Sequence, residues 1–130
     1  MAGGIVIDVR PITAPAIIES VSAGRVTAAV EIDANGAAED EEAADVAVRH
    51  ILSRGWFAFE RSRLFDFEVH YDSITDLKAF VGMSKRMRGA DIPYQELEER
   101  RIELAAATGR PSRLRCHRPW MVSVYRKASP

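Results

Sequence analysis

A chain of 130 residues, 47% hydrophobic and 28% charged, is long enough for one folded domain that buries roughly two thirds of the surface its unfolded form exposes, which excludes wholesale disorder. A formal net charge of −1 supplies no whole-molecule field for nucleic acid or an anionic membrane, and neither is expected as a partner. The single cysteine, Cys116, cannot close an intrachain disulfide and suits a reducing, cytoplasmic setting, and no apolar run approaches the roughly 20 residues of a bilayer span.

Gly3 and Gly4 form a turn that feeds Ile5, Val6, Ile7, Asp8 and Val9, an apolar run of the type buried on both faces of a sheet, which Pro11 ends. Such a strand normally has neighbours on both sides, and the sequence ahead of it supplies none. Two β-prone arms follow around Ala23-Gly24, a hairpin carrying Ile17, Val21, Val26, Val30 and Ile32. The period then changes: Ala44, Ala47, Val48, Ile51 and Leu52 recur at helical spacing behind an acidic first turn, and Gly55 supplies the stop.

Residues 56–73 alternate Phe57, Phe59, Phe65, Phe67, Val69 and Tyr71 on one face, which predicts one long strand. Ser73 with Asp76 three residues later forms a capping pattern that opens a short helix closed by Gly82. Pro93 suits the first turn of a further helix running to about Thr108 and ended by Gly109. The last strand sets Leu114, Cys116, Trp120, Val122 and Val124 on one face, and Pro119 in its middle predicts an edge position or a bulge.

Little in this sequence announces catalysis. His50, His70 and His117 stand apart from one another and from zinc-type ligand spacings, and Cys116-His117 point to opposite faces of a strand. No serine sits in a G-x-S-x-G elbow, and Cys116 in a strand behaves as a small hydrophobe. Apart from Gly3-Gly4, which precede their strand, the glycines stand alone, so no phosphate cradle is formed. Polar groups gather at His70, Tyr71, Asp72 and Ser73, where a strand hands over to a helix; capping already accounts for the Asp and Ser.

The order strand, helix, long aromatic strand, HYDSITDLKAFV, helix and closing RPWMVSVYRK strand resembles the C-terminal half of class I S-adenosylmethionine-dependent methyltransferases. In that family a Pro-Gly-Gly-like turn opens the fifth strand, as Ala2-Gly3-Gly4 would here. The sixth and seventh strands form an antiparallel pair, matching residues 56–72 and 113–127, and YDSITDL is similar to a variant found in small bacterial members. The resemblance implies an α/β fold, α+β-like as isolated, over a single domain of residues 1–130. It would be a partial Rossmann-like methyltransferase sheet with an antiparallel C-terminal strand pair, a β-hairpin and three helices.

The family's cofactor-binding positions would all lie ahead of Met1, so the resemblance carries over no catalytic or cofactor-binding residue. Arg10, His70 and Tyr71 are the candidates for the substrate side. The implied role is the acceptor-side half of a methyltransferase fold, from a truncated gene or a split enzyme. Such a chain is not catalytic alone and binds no cofactor alone; a partner supplies S-adenosylmethionine. The alternative is a non-catalytic α+β interaction or small-ligand-binding module that dimerises through its open sheet edge. Either reading expects a homodimer or a separate cofactor-binding chain at the edge of the Ile5 to Val9 strand.

Overall fold

The chain runs through β1 (Ile5–Pro11), β2 (Ala16–Ser22), β3 (Arg25–Ile32), α1 (Ala38–Ser53), β4 (Phe57–Tyr71), α2 (Ile74–Met83), α3 (Tyr94–Thr108) and β5 (Arg113–Lys127). This computed structural model describes residues 4–87 and 89–128; Gly3 of the opening turn lies outside them. Among the described residues the fold is mixed α/β with three helices, and the β1–β5, β2–β3 and β2–β5 ladders are all antiparallel. The sheet order is β1-β5-β2-β3, with β4 also pairing β5. Two compact units share these elements. The first holds β1, α1, β4 as far as Asp66 and β5 from Pro119; the second holds β2, β3, β4 from Phe67, α2, α3 and β5 as far as Arg118.

In the second unit the expected hairpin forms around Ala23 and Gly24, which take φ values of 48° and 80°. Two successive positive φ values match the right-handed twist of the arms and bring Ser22 opposite Arg25. The register slips between Ile18 and Ser20, leaving Ile18, Glu19 and Ser20 all buried. Ile18, Ile32, Leu77, Leu97 and Leu114 are almost wholly buried and form the centre of this core. Ser73 caps α2 as expected, its hydroxyl accepting the Asp76 N–H at 3.2 Å. α2 turns Leu77 and Val81 inward, and α3 turns Leu97 and Leu104 inward. Pro93 stands just ahead of α3 as its N-cap, one position before the expected first turn, while Gly109 ends the helix at φ 65° as the sequence predicts. Ser22 Oγ meets Thr108 Oγ1 at 2.8 Å, fixing the hairpin end to the end of α3.

In the first unit β1 pairs with β5 from Ile5↔Arg126 to Pro11↔Trp120. Val6 faces α1, where Val48, Ile51 and Leu52 join Phe57 and Tyr125 around a small apolar gap. α1 has no buried residue, so its hold on the sheet is a shallow apolar contact reinforced by the Arg10–Asp45 ion pair at 2.6 Å. The expectation that the β1 run is buried on both faces is corrected here. Burial alternates, and Ile5, Ile7 and Val9 remain 50%, 56% and 50% exposed.

Two further expectations change. The aromatic face of β4 is not a continuous core: Tyr71 is buried, whereas Phe59 and Phe67 stay 56% and 46% exposed. β5 is no edge strand despite Pro119, since it pairs with β1, β2 and β4. Pro119 falls where β5 leaves β2 at His117 and takes up β1 at Trp120, a gap in which its missing N–H costs no ladder bond. Its carbonyl accepts the Ile12 N–H at 3.2 Å.

The hairpin turn offers a direct check. Ala23→Asn places Asn-Gly, the preferred pair for two positive φ values, and should stabilise the protein by about 0.5–1 kcal/mol in urea unfolding. A destabilised variant would show that the turn is of another type.

Candidate functional site

The free edge of β1 follows from backbone parity. Gly4 C=O accepts the Lys127 N–H at 2.7 Å, and Ile12 N–H donates to Pro119 C=O, so the even-numbered residues of β1 turn their backbone groups toward β5. Ile5, Ile7 and Val9 therefore turn theirs to the opposite side, where no strand pairs among the described residues. The same three residues carry the half-exposed side chains. By register Val122 and Val124 share their face, which points away from α1. Pro11, lacking an N–H, closes the edge at one end.

Arg10 extends to the other face of β1. Its guanidinium contacts Asp8 at 2.7 Å and Asp45 at 2.6 Å, and donates to Glu41 C=O at 3.1 Å. An open cleft of about 380 Å³ adjoins it, lined by Asp45, Arg49, Met121, Ser123 and Tyr125 among others. Two carboxylates already face Arg10, so its charge is spent within the protein rather than on an incoming anion.

His70 and Tyr71 lie in the second unit and point to opposite faces of β4. His70 Nε2 stands 3.3 Å from Glu68 Oε1 on the outer face. Tyr71 enters the core, packed against Phe80 at 5.5 Å between ring centroids, and its hydroxyl has no hydrogen-bond partner among the described residues. Burial, with a smaller contribution from the Cys116 thiol, pushes Tyr71 up to about 12. Burial likewise pushes Cys116 up to about 11. Both groups stay protonated at neutral pH, so neither is a ready nucleophile or base. Arg10 belongs to the first unit, and the three substrate-side candidates do not form one constellation within either unit.

A cluster that sequence reading missed lies beside His70. Glu19 in β2 is buried, and its Oε1 accepts from both guanidinium nitrogens Nε and Nη2 of Arg115, Nε at 2.7 Å, with His117 Nε2 at 3.0 Å. Arg115 Nη1 then lies 3.8 Å from Glu68 Oε2, linking the pair toward His70. Glu19 is directly opposite Arg115 across the β2–β5 ladder. The available signal was an acid inside an apolar arm and a basic alternation in the last strand; strand register, invisible in the sequence, brings them together. A buried carboxylate held by a forked guanidinium is costly to leave unpaired, so a register that separates the two is disfavoured. Among the described residues no group of three or more His, Cys, Asp and Glu is placed to hold a metal ion.

No family model, no curated protein and no solved structure matches this chain. Among the described residues no helix is long and apolar enough to cross a membrane.

Removing Arg115 tests the cluster. Arg115→Met leaves the buried Glu19 carboxylate without its forked donor and should cost about 3 kcal/mol or more in denaturant unfolding at pH 7. Adding Glu19→Leu should recover most of that loss; a single variant as stable as wild type would remove the cluster from the account.

Proposed function

We propose that this chain works by association, offering the edge of β1 to a partner strand as an interaction module. The observation that carries this reading is the coincidence on Ile5, Ile7 and Val9 of outward backbone groups and half-exposed β-branched side chains. Strand addition takes affinity from main-chain hydrogen bonds and specificity from alternate side chains, and β1 presents both. Charge is the usual protection of an edge. β4 carries Arg61, Arg63, Asp66 and Glu68 along its length; β1 carries Asp8 and Arg10, which pair with each other, and its outward residues Ile5, Ile7 and Val9 carry no charge.

A peptide of residues 4–12 is a strand of matched length and serves as the probe. Wild-type protein should bind it in fluorescence anisotropy. Ile7→Pro should abolish binding with little change in unfolding midpoint, because the Ile7 N–H is not used by β5. Failure of the wild type to bind would contradict the reading.

The arrangement of β1, β5 and β4 supports a second, narrower reading: this module is the acceptor side of a methyltransferase-like fold. The long strands β4 and β5 pair, as the resemblance requires of its sixth and seventh strands, and their contacts run antiparallel, Trp56 C=O accepting the Ala128 N–H at one end and Asp72 meeting Arg113 at the other. On this reading β1 would correspond to the fifth strand; it pairs with β5, and no strand pairs its other edge among the described residues. On this reading the cytoplasmic chain meets a separate cofactor-binding chain at β1.

The cleft between Thr13 and Asn35 has no aromatic plane for adenine, and in the cleft beside Arg10 the Arg10–Asp45 ion pair is already closed, which leaves Arg49 and the Tyr125 ring to meet a ligand. Saturating S-adenosylmethionine should leave the unfolding midpoint of the isolated chain unchanged, whereas binding at a hundredfold excess over Kd would stabilise it by about 2.7 kcal/mol.

A further inference from the structure

We infer that the strand received by β1 is β1 of a second copy, paired antiparallel about a two-fold axis at Ile7. This rests on the edge reading above and names its partner. An isologous contact must be self-complementary, so the test of any surface is whether it satisfies itself when rotated. The outward N–H groups of β1 belong to Ile5, Ile7 and Val9, each with an outward C=O, and Pro11 adds a C=O alone. Pairing Ile7 with Ile7 of the second copy sets Ile5 opposite Val9 and Val9 opposite Ile5, and every outward N–H meets an outward C=O. Moving the axis toward Pro11 places outward groups against a residue without an N–H; moving it toward Gly4 sets Val9 opposite positions that lie outside the described residues, so only the axis at Ile7 pairs all three outward residues with one another.

Side-chain chemistry selects the same register. Ile5, Ile7 and Val9 of both copies form one apolar strip on one face, and β-branched residues opposite each other are favourable cross-strand pairs. The charges of β1, Asp8 and Arg10, already neutralise each other at 2.7 Å, and Arg10 also reaches Asp45, so rotation brings no unbalanced like charge to the seam. A single strand pair is small next to the roughly 1,200–2,000 Å² of a stable interface, so the dimer is weak and concentration-dependent.

Site-directed cross-linking tests the geometry. Paired backbones of this kind hold their Cα atoms about 5.5 Å apart, within disulfide reach. Under oxidation or with a short thiol cross-linker, Ile7→Cys should give a covalent dimer at least tenfold more than Val6→Cys, whose side chain faces α1. Ile5→Cys mixed with Val9→Cys should cross-link where each alone does not. Wild-type protein, whose Cys116 is partly buried against the core, is the background. Sedimentation equilibrium of the wild type should show a reversible dimer that Ile7→Pro removes. A strict monomer that still binds the 4–12 peptide would overturn the second copy and keep the edge reading; a monomer that binds no peptide would overturn both. Self-cross-linking of Ile5→Cys at the level of Ile7→Cys would overturn the register.

Discussion

Backbone hydrogen bonding along β5 is the constraint on which the rest depends. This strand pairs with β1, β2 and β4, and β3 alone among the strands reaches it only through another, β2. Each unit takes its sheet from one stretch of β5: β2 up to His117 in the second, β1 from Trp120 in the first. A proline is tolerated in so central a strand because it occupies the interval between those ladders. β1, held from one side only, keeps an edge whose backbone groups have no strand to meet among the described residues.

The two units bury their apolar residues to different depths. In the second, a hairpin and two helices enclose Ile18, Leu77, Leu97 and Leu114, and the ionic cluster of Glu19, Arg115 and His117 holds register on the opposite face of the ladder. In the first, α1 covers one face of the sheet without burying any of its own residues, and Ile5, Ile7 and Val9 line the other. Buried apolar area is the main source of cooperativity, so the first unit has less with which to resist local opening. A partner strand at β1 would add hydrogen bonds where the unit's own packing is thinnest.

Local signals in the sequence reported element type well. Ser73 and Asp76 place the start of α2, Gly109 the end of α3, and Ala23-Gly24 the hairpin turn, because capping and positive-φ chemistry act within a few residues. Burial was less legible. An unbroken apolar run in β1 reads as a strand covered twice, yet coverage is decided by which elements the chain brings over it. Phe59 and Phe67 share the alternation of Tyr71 and do not share its burial. The Glu19 cluster was hidden for a related reason: its members meet through a ladder between residues 96 apart in sequence.

Tyr71 and Cys116 show how chemistry read from residue type is redirected by packing. A tyrosine at a strand end and a lone cysteine are ordinary suspects for reactivity, and burial holds both in their protonated forms. On β1, half-exposed apolar side chains coincide with backbone groups that no strand meets among the described residues. Backbone amide hydrogen exchange, followed residue by residue as protein concentration is raised, addresses this most directly. The account predicts that the Ile5, Ile7 and Val9 amides gain protection with concentration while Val6 and Asp8, bonded to β5 throughout, keep theirs unchanged. Exchange at Ile7 that stays fast at every concentration would contradict the proposal that a second copy completes this edge.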